Sequence, residues 1–195
     1  MIRSKLWAAD LTRTGPPPSA SASDFVEIKA ARLAEIAAAM GADGDRAAAR
    51  FARGCRCFAV EQQGSIVAFG WLSTHREWIG ELGLWITPAP GEGYVWNCYT
   101  LEPHRRRGNY RRLVQGFVEL PDLRRLWIGS IDDPAEKADA DAGFAPVLLF
   151  EVTRVAGLRL LRIRPAAGAD PAIVGTARER LTPARALAVK RTRIH

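Results

Sequence analysis

Two patterns of hydrophobic and polar positions alternate along the chain, and together they predict a mixed α/β (α+β) protein. Short apolar runs bounded by Gly, Pro or Asn turns are typical of strands. They lie over residues 3–12, 57–61, 65–72, 78–87, 94–101, 126–131, 146–155 and 158–164. Apolar residues at three- and four-residue spacing indicate helices. These segments cover about residues 25–40, 44–53, 109–119 and 133–143.

The order of these elements constrains the topology of the sheet. Hairpins dominate the first half of the chain, whereas a strand–helix–strand crossover over residues 94–131 lies at its centre. Crossovers join parallel strands and hairpins join antiparallel ones, so we expect a mixed, mostly antiparallel sheet with helices on its faces. We expect one domain over residues 1–165, followed by a basic C-terminal extension over residues 166–195.

The segment from Asn97 to Leu113 carries the most specific chemistry in the sequence. It reads as a strand, a tight basic turn with one glycine, and a helix. The first N–H groups of a helix lack intrahelical partners and carry partial positive charge, so they bind phosphate. The three consecutive arginines at 105–107 would add charge-assisted hydrogen bonds. The simplest ligand that fits is a diphosphate, and the alternative is an exposed basic helix cap.

Composition supports a folded domain and concentrates the positive charge near its C-terminal end. The chain has 195 residues, of which 48% are hydrophobic and 25% charged, so we expect a packed core. The net charge is +7, and residues 154–195 hold ten Lys or Arg against two Asp or Glu. A solvated basic face is the favoured interpretation, because no nucleic-acid-binding motif accompanies the charge. The alternatives are an acidic partner, an anionic membrane or a nucleic acid.

The cysteines and histidines predict neither a disulfide framework nor a metal centre. Cys55, Cys57 and Cys98 are an odd number with close spacing, and we expect structural thiols, with Cys98 also lining a pocket. Zinc would need further ligands, and the histidines are scattered at positions 75, 104 and 195. No apolar run approaches a membrane span or a secretory signal, so we expect a cytoplasmic protein without a membrane partner.

The basic turn and its surroundings resemble the GNAT-type N-acetyltransferase superfamily. The family signature is Arg/Gln-x-x-Gly-x-Gly/Ala between a central strand and a helix. Residues 105–110 match it, except that Tyr110 replaces the last small residue. A short helix followed by Gly143 and Phe144 matches a second family feature, and the resemblance covers about residues 3–165. It implies a mostly antiparallel sheet of six or seven strands, flanked by helices and splayed at its central strands.

The resemblance also implies acetyl-CoA, or another acyl-CoA, as the donor, with no metal. Backbone N–H groups from Arg106 to Tyr110 would hold the CoA pyrophosphate. Main-chain groups of the central strand would meet the pantetheine arm and the thioester, where an N–H would stabilise the oxyanion. The implied donor-binding residues are Tyr99, Thr100, Leu101, Arg105, Arg106, Arg107, Gly108, Asn109, Tyr110 and Asp133. For Asp133 we expect mainly a role as helix N-cap, with a CoA contact as its secondary role.

The implied reaction is transfer of the acyl group to a primary amine by direct attack on the thioester. A general base must take a proton from the acceptor. The candidates are Glu81, whose alternative is a surface strand residue, and Asn97, which would hold a water. The family commonly uses a tyrosine as general acid within the short helix, but residues 133–143 contain none. The acid therefore stays unassigned, and catalysis by proximity alone stays open.

Two classes of protein remain open at this point. In the first, the protein is an enzyme whose acceptor is a small-molecule or peptide amine, with a homodimer left open. In the second, it is a non-catalytic CoA-binding or interaction module whose basic tail engages an acidic or nucleic-acid partner. Family members often carry a carboxylate near the position of Asn97, so its absence and the missing tyrosine favour the module slightly. A nucleic-acid partner is the less favoured of the two.

Overall fold

The computed structural model describes residues 2–11, 24–131, 133–156, 158–183 and 189–191. The strands are β1 (Ile2–Asp10), β2 (Phe25–Ile28), β3 (Arg56–Gln62), β4 (Ser65–Ser73), β5 (Glu77–Ile79), β6 (Leu84–Ile86), β7 (Glu92–Thr100), β8 (Arg125–Ser130), β9 (Ala145–Val155), β10 (Leu158–Pro165), β11 (Leu181–Pro183) and β12 (Val189–Arg191). The α-helices are α1 (Leu33–Met40), α2 (Ala47–Ala52), α3 (Asn109–Val118), α4 (Asp133–Asp141) and α5 (Pro171–Arg180).

Nine of these strands form one mixed sheet, in the order β12-β10-β9-β1-β8-β7-β4-β3-β2. Every neighbouring pair is antiparallel except β7–β8 and β10–β12, which are parallel. The mixed, mostly antiparallel architecture predicted from the sequence is therefore confirmed. The sheet has more strands than the expected six or seven, because β2 pairs with β3 at one edge and β12 pairs with β10 at the other.

The segment Phe25–Ile28 is a strand, so the helix predicted over residues 25–40 is wrong in its first part and begins only at Leu33. The Phe25 ring stacks on the Phe58 ring, with centroids 5.1 Å apart. The apolar residues of this segment fit a helical period and also fit an edge strand. Packing against β3 decides between the two, and local sequence does not contain that information.

A second, three-stranded sheet, β11-β6-β5, replaces the single strand predicted over residues 78–87. Strands β5 and β6 form a hairpin around a turn at residues 80–83, in which Gly83 has a φ of +66°. Glycine adopts this left-handed conformation without steric cost, so the chain can reverse here. Glu81 therefore lies in a turn, and not on a strand as predicted.

Part of the expected C-terminal extension belongs to the same packed structure. Val174 of α5 and Leu181 of β11 are buried in one core cluster with Trp127. The Arg180 guanidinium donates to the carboxylate of Glu92, at the start of β7. Helix α5 and strand β11 therefore contribute to the core, while the domain boundary expected from the sequence stays a prediction.

Side chains of the nine-stranded sheet alternate between two faces, and different elements cover each face. Leu113 and Phe117 of α3 pack with Leu72 on one face. On the other face Ile36 of α1 packs with Trp71, while the three-stranded sheet and α5 cover the part that includes β8 and β9. The second face therefore carries two separate covering units.

The two central strands separate before either one ends. Strand β7 pairs with β8 only over residues 92–95, opposite residues 125–128. Beyond this point β7 continues to Thr100 and β8 continues to Ser130 without pairing to each other. The splay predicted for the central strands is thus confirmed. It creates an opening whose walls are two strand ends.

Candidate functional site

A cavity of about 1020 Å³ lies at the separated ends of β7 and β8. Its other walls come from the turn before α3, from α4, from the region of α2 and from the β5–β6 hairpin. The predicted site residues that line it are Glu81, Asn97, Tyr99, Thr100, Arg105, Arg106, Gly108, Asn109 and Tyr110. Leu101 and Arg107 do not line it, and the side chain of Asp133, the first residue of α4, lies outside the described part of the chain.

The turn between β7 and α3 carries main-chain N–H groups that lack an acceptor among the described residues. A 3-10 turn at Glu102–His104 leads into an exposed stretch in which Arg106 (φ +61°) and Gly108 (φ +76°) are left-handed. Within the described residues, no hydrogen-bond acceptor meets the N–H groups of residues 106–111. The first hydrogen bond of the helix runs from the Arg112 N–H to the Gly108 carbonyl. This row of free donors is the chemistry that an anionic diphosphate requires.

The Asn109 side chain holds this turn from the inside and is not free to meet a ligand. It is only 1% exposed. Its Nδ2 donates to the His104 carbonyl over 2.9 Å. Its Oδ1 accepts from Gln62 Nε2 at 3.1 Å and from Arg112 Nη1 at 3.2 Å. Of the groups on Asn109, the main-chain N–H is the one without an acceptor among the described residues, and its role toward a ligand stays a prediction.

The Arg105 side chain folds back on the end of β7. Its Nε donates to the Thr100 carbonyl over 3.1 Å, and its Nη2 donates to the Tyr99 hydroxyl over 2.9 Å. These bonds fix the turn against the strand, and Arg105 Nη1 lies 3.5 Å from Glu102 Oε1, so the charge of this guanidinium already has a carboxylate partner. The exposed side chains of Arg106 and Arg107 have no carboxylate within 4.0 Å among the described residues. These two are the arginines that can add charge to an anion-binding turn.

Leu101 is not available to a ligand, which corrects its predicted role in donor binding. Its N–H donates to the Val67 carbonyl over 3.0 Å, because pairing with β4 extends this far. Its carbonyl accepts from the His104 N–H over 2.9 Å in the 3-10 turn that follows. Hydrogen-bonding groups alternate sides along a strand. The main chain of Thr100 therefore faces away from β4 into the split, where Arg105 meets its carbonyl. The N–H of Thr100 points the same way.

A β-bulge sets the direction of the end of β7. Asn97 and Cys98 together oppose Gly70 of β4, and the register shifts at this point. Asn97 has a φ of +49°, a conformation that asparagine tolerates better than most residues. A Cβ on Gly70 would lie 2.8 Å from the Cys98 Sγ, so glycine leaves the space that the bulge needs. The extra residue bends the strand and accounts for its departure from β8.

Cys98 lines the cavity, as predicted, and does so as a neutral group. Burial raises the pKa of its thiol, so it stays protonated at neutral pH and is a poor nucleophile. The other two cysteines are free and buried. Burial raises the pKa of Cys55 to about 11 and of Cys57 to about 12, as expected for structural thiols.

Glu81 reaches the cavity from the turn between β5 and β6. Burial raises the pKa of the Tyr94 hydroxyl, and the negative charge of Glu81 raises it further. A Cβ on Gly129 of β8 would lie 3.2 Å from that hydroxyl, which puts Tyr94 in the split between the strands. The carboxylate predicted as a base and the amide of Asn97 therefore line the same cavity.

A buried pair joins α3 to α4 in the cavity wall. The Tyr110 hydroxyl donates to Asp139 Oδ1 over 2.9 Å, and Asp139 is fully buried. Sequence reasoning missed Asp139 and assigned Tyr110 only a main-chain role. A signal was present, because Asp139 shares a helical face with Ala135 and Ala142, so a carboxyl interrupts an otherwise apolar stripe.

Arg50 of α2 is the second functional candidate that sequence reasoning missed. It lines the cavity although only 5% of it is exposed. Its Nη1 donates to Asn97 Oδ1 over 2.5 Å. No signal for this role was present in the sequence, because Arg46 and Arg53 lie four and three residues away and together with Arg50 predict a solvated basic face.

Neither a metal centre nor a membrane span accompanies the cavity in the described part of the chain. Among those residues, no three His, Cys, Asp or Glu side chains are grouped so that they could hold a metal ion. No helix within the described ranges is long and apolar enough to cross a membrane. The cavity is therefore built from main-chain donors, arginines, aromatic rings and a few carboxyl groups.

Similar solved structures support this fold. A putative GNAT acetyltransferase from Novosphingobium aromaticivorans is 18% identical, with 74% of this chain and 60% of that chain covered at a TM-score of 0.52. A GCN5-related N-acetyltransferase from Kribbella flavida is 20% identical, with coverages of 74% and 54% and a TM-score of 0.50. A GNAT acetyltransferase from Colwellia psychrerythraea is 14% identical, with coverages of 75% and 53% and a TM-score of 0.51. This chain thus spans between half and two thirds of their length.

Sequence comparison with families extends this likeness from fold to membership. No curated protein sequence matches the chain. A profile of the acetyltransferase (GNAT) family matches residues 28–139, which is more than half of the chain. The matched range contains the bulge, the split between β7 and β8, and the turn before α3. The chain belongs to the GNAT acetyltransferase family.

Proposed function

We propose that the protein transfers an acetyl, or other acyl, group from acyl-CoA to a primary amine of its acceptor. The observation that carries the proposal is that the N–H groups of residues 106–111, beside the split between β7 and β8, meet no acceptor among the described residues. A diphosphate binds to such a row of donors. The pantetheine arm, which carries the thiol of CoA, is narrow enough to lie in a gap between two strands. Membership in the GNAT family supports acyl transfer in general and acetyl-CoA as the usual donor.

The donor would lie along the turn and the split. The N–H groups of residues 106–110 would donate to the pyrophosphate oxygens, and Arg106 and Arg107 would add positive charge. The N–H of Thr100, which faces the split, would donate to the thioester carbonyl oxygen. A donor at this point strengthens its bond as negative charge develops on that oxygen during attack.

The reaction itself needs a neutral amine and a protonated leaving group. The acceptor nitrogen attacks the thioester carbon, the carbon–sulfur bond breaks, the nitrogen loses a proton and the sulfur gains one. Glu81 is the proposed base, acting directly or through a water held by Asn97. Tyr110 is the proposed acid, because its hydroxyl lies against α4, the helix on which the family commonly carries its tyrosine. Burial keeps the pKa of this hydroxyl high, so it remains protonated at neutral pH, and in the proposed step its one hydrogen turns from Asp139 Oδ1 toward the leaving sulfur.

Donor binding and turnover test the proposal separately. Calorimetric titration with acetyl-CoA measures binding, and release of the free CoA thiol with a panel of amines measures turnover. We expect Glu81→Gln to lower kcat/KM by roughly 100-fold or more while acetyl-CoA affinity is retained. Glu119→Gln removes a carboxylate that does not line the cavity and is expected to behave as the wild type.

Each outcome of these measurements has one meaning for the proposal. Absence of acetyl-CoA binding would overturn it. Tight binding of acetyl-CoA with no turnover across the panel would instead favour a non-catalytic CoA-binding module. Turnover that survives Glu81→Gln would leave the acyltransferase intact and remove Glu81 as its base.

A further inference from the structure

Arg50 is a buried cation for which the described protein supplies no anion. Its guanidinium carbon lies 4.3 Å from the centre of the Trp96 ring and 5.0 Å from that of Trp71. Its hydrogen bond to Asn97 Oδ1 is to a neutral amide. No carboxylate in the described ranges lies within 4.0 Å of it. Burying an uncompensated charge is costly, so this arrangement calls for a functional explanation.

The neighbouring charges do not supply the missing partner. Asp43 also lines the cavity, but its Oδ1 is paired with Arg46 Nη1 at 3.1 Å. Burial lowers the pKa of Arg50, and the more distant Asp43 only partly offsets this effect. An arginine remains protonated even so, because its ordinary pKa is far above neutral.

A second unpaired donor lies beside the guanidinium. The indole N–H of Trp96 is buried and has no acceptor among the described residues, and Trp96 lines the same cavity. A guanidinium has five N–H donors, and Asn97 takes one of them. Planar, forked donors of this kind match a carboxylate, which accepts two parallel hydrogen bonds.

We propose that the amine acceptor also carries a carboxylate, which Arg50 binds, so that the acceptor class is an amino acid or a close analogue. The inference rests on the proposed acyltransferase function and deepens it. Asn97, the hydrogen-bond partner of Arg50, lies in the bulge three residues before Thr100. Arg50 and Thr100 both line the cavity, so an acceptor whose carboxylate binds Arg50 lies in the same cavity as the acyl end of the donor. The aromatic rings of Trp78 and Trp96 also line the cavity and offer an apolar surface to the rest of the acceptor.

The test compares each L-amino acid with its own primary carboxamide, as ligands of the protein saturated with CoA. Calorimetry measures both affinities, so the result does not depend on turnover. We expect the carboxylate form to bind roughly ten- to a hundredfold more tightly for the preferred side chains, as for other hydrogen bonds between charged groups. Equal binding of the two forms, or no binding of any pair at millimolar concentration, would overturn the inference.

Substitutions then assign the effect to one side chain. Arg50→Gln is expected to remove the preference for the carboxylate, whereas Arg154→Gln, which removes an exposed arginine outside the cavity lining, is expected to keep it. Arg50→Lys keeps the positive charge but lacks the planar N–H donors of a guanidinium, so we expect it to retain part of the preference for the carboxylate. Retained CoA binding shows that a variant is folded. If CoA binds and amines without a carboxylate are acetylated equally well, the acyltransferase proposal stands and this inference fails.

Discussion

The Tyr110 hydroxyl donates a 2.9 Å hydrogen bond to the buried carboxyl of Asp139, and this bond joins α3 to α4. Burial raises the pKa of Asp139 from an ordinary 3.8 to about 6, and the Tyr110 hydrogen bond acts in the opposite direction. A buried carboxyl group with a raised pKa, hydrogen-bonded to a residue that lines the cavity, links the structure of the site to pH. Its consequences can be measured for stability and for activity.

Asp139→Asn is expected to change how stability depends on pH. Because the folded-state pKa of Asp139 lies above its unfolded value, the native state binds more protons between pH 4 and 6. The free energy of unfolding therefore falls as pH rises through this window, by roughly 1–3 kcal/mol in total. Asparagine cannot ionise, so the variant should lack this fall, as measured by chemical denaturation from pH 4 to pH 8. Asp141→Asn, a more exposed carboxyl on the same helix, should retain the wild-type slope.

Tyr110→Phe is expected to lower kcat by roughly 10- to 100-fold, because it removes the proposed proton donor to the CoA sulfur. The affinity for acetyl-CoA should change little, since the N–H of residue 110 is retained. Steady-state kinetics with the preferred amine, together with calorimetric titration, check both expectations. A variant that loses stability but keeps the wild-type kcat would show that the hydroxyl serves only to join α3 to α4.

Gly108→Asp is expected to abolish CoA binding, because it adds negative charge at the start of α3, where the free N–H groups lie. Gly108→Ala is the matched control. A Cβ at this position meets no atom within 4 Å, so alanine adds only the strain of its left-handed φ of +76°. That strain should cost roughly 1 kcal/mol of stability and leave most of the affinity. Calorimetric titration that finds unchanged affinity in Gly108→Asp would refute the assignment of this turn.

Glu92→Gln is expected to destabilise the protein at neutral pH by roughly 2–4 kcal/mol. Burial alone would raise the pKa of Glu92, but hydrogen bonds from Arg180, Trp127 and the Ala89 N–H lower it overall. A lowered pKa contributes stability above the ordinary value of 4.5, and this contribution is lost as pH falls through the folded-state pKa.

The difference between the wild type and Glu92→Gln should therefore shrink as pH falls below the ordinary value of 4.5 and through the lowered folded-state pKa, which denaturation curves at several pH values would reveal. Glu179→Gln provides a control, because this carboxylate also meets Arg180, at 3.6 Å, but is 74% exposed. It should be close to the wild type at every pH. A constant difference for Glu92→Gln across the pH range would contradict the role given to its charge.

The strand, turn and helix around residues 105–110 could be predicted because their signals are local. A glycine that permits a left-handed φ, a preceding apolar run and a following helical period all lie within about twenty residues. The same holds for the β9–β10 hairpin, whose strands match the predicted ranges within two residues. Signals of this kind lie within one short segment, so they do not depend on contacts with distant parts of the chain.

Other features depend on contacts between distant residues and could not be read from the sequence. Phe25 belongs to a strand because of rings on β3 and α3, not because of its own neighbours. Arg50 meets Asn97 across 47 positions, and Tyr110 meets Asp139 across 29. Leu101 was assigned to the ligand because its pairing with Val67 is invisible until the register of β4 and β7 is known.

The bulge at Asn97 and Cys98 makes the site far more sensitive to insertions and deletions than to substitutions. Because the two edges of a strand alternate, removing one residue here would rotate the following positions by half a turn. The amide of Thr100 would then point toward β4, and that of Leu101 toward the donor. The chain could keep every side chain of the cavity and still lose its oxyanion donor through a change of length by a single residue.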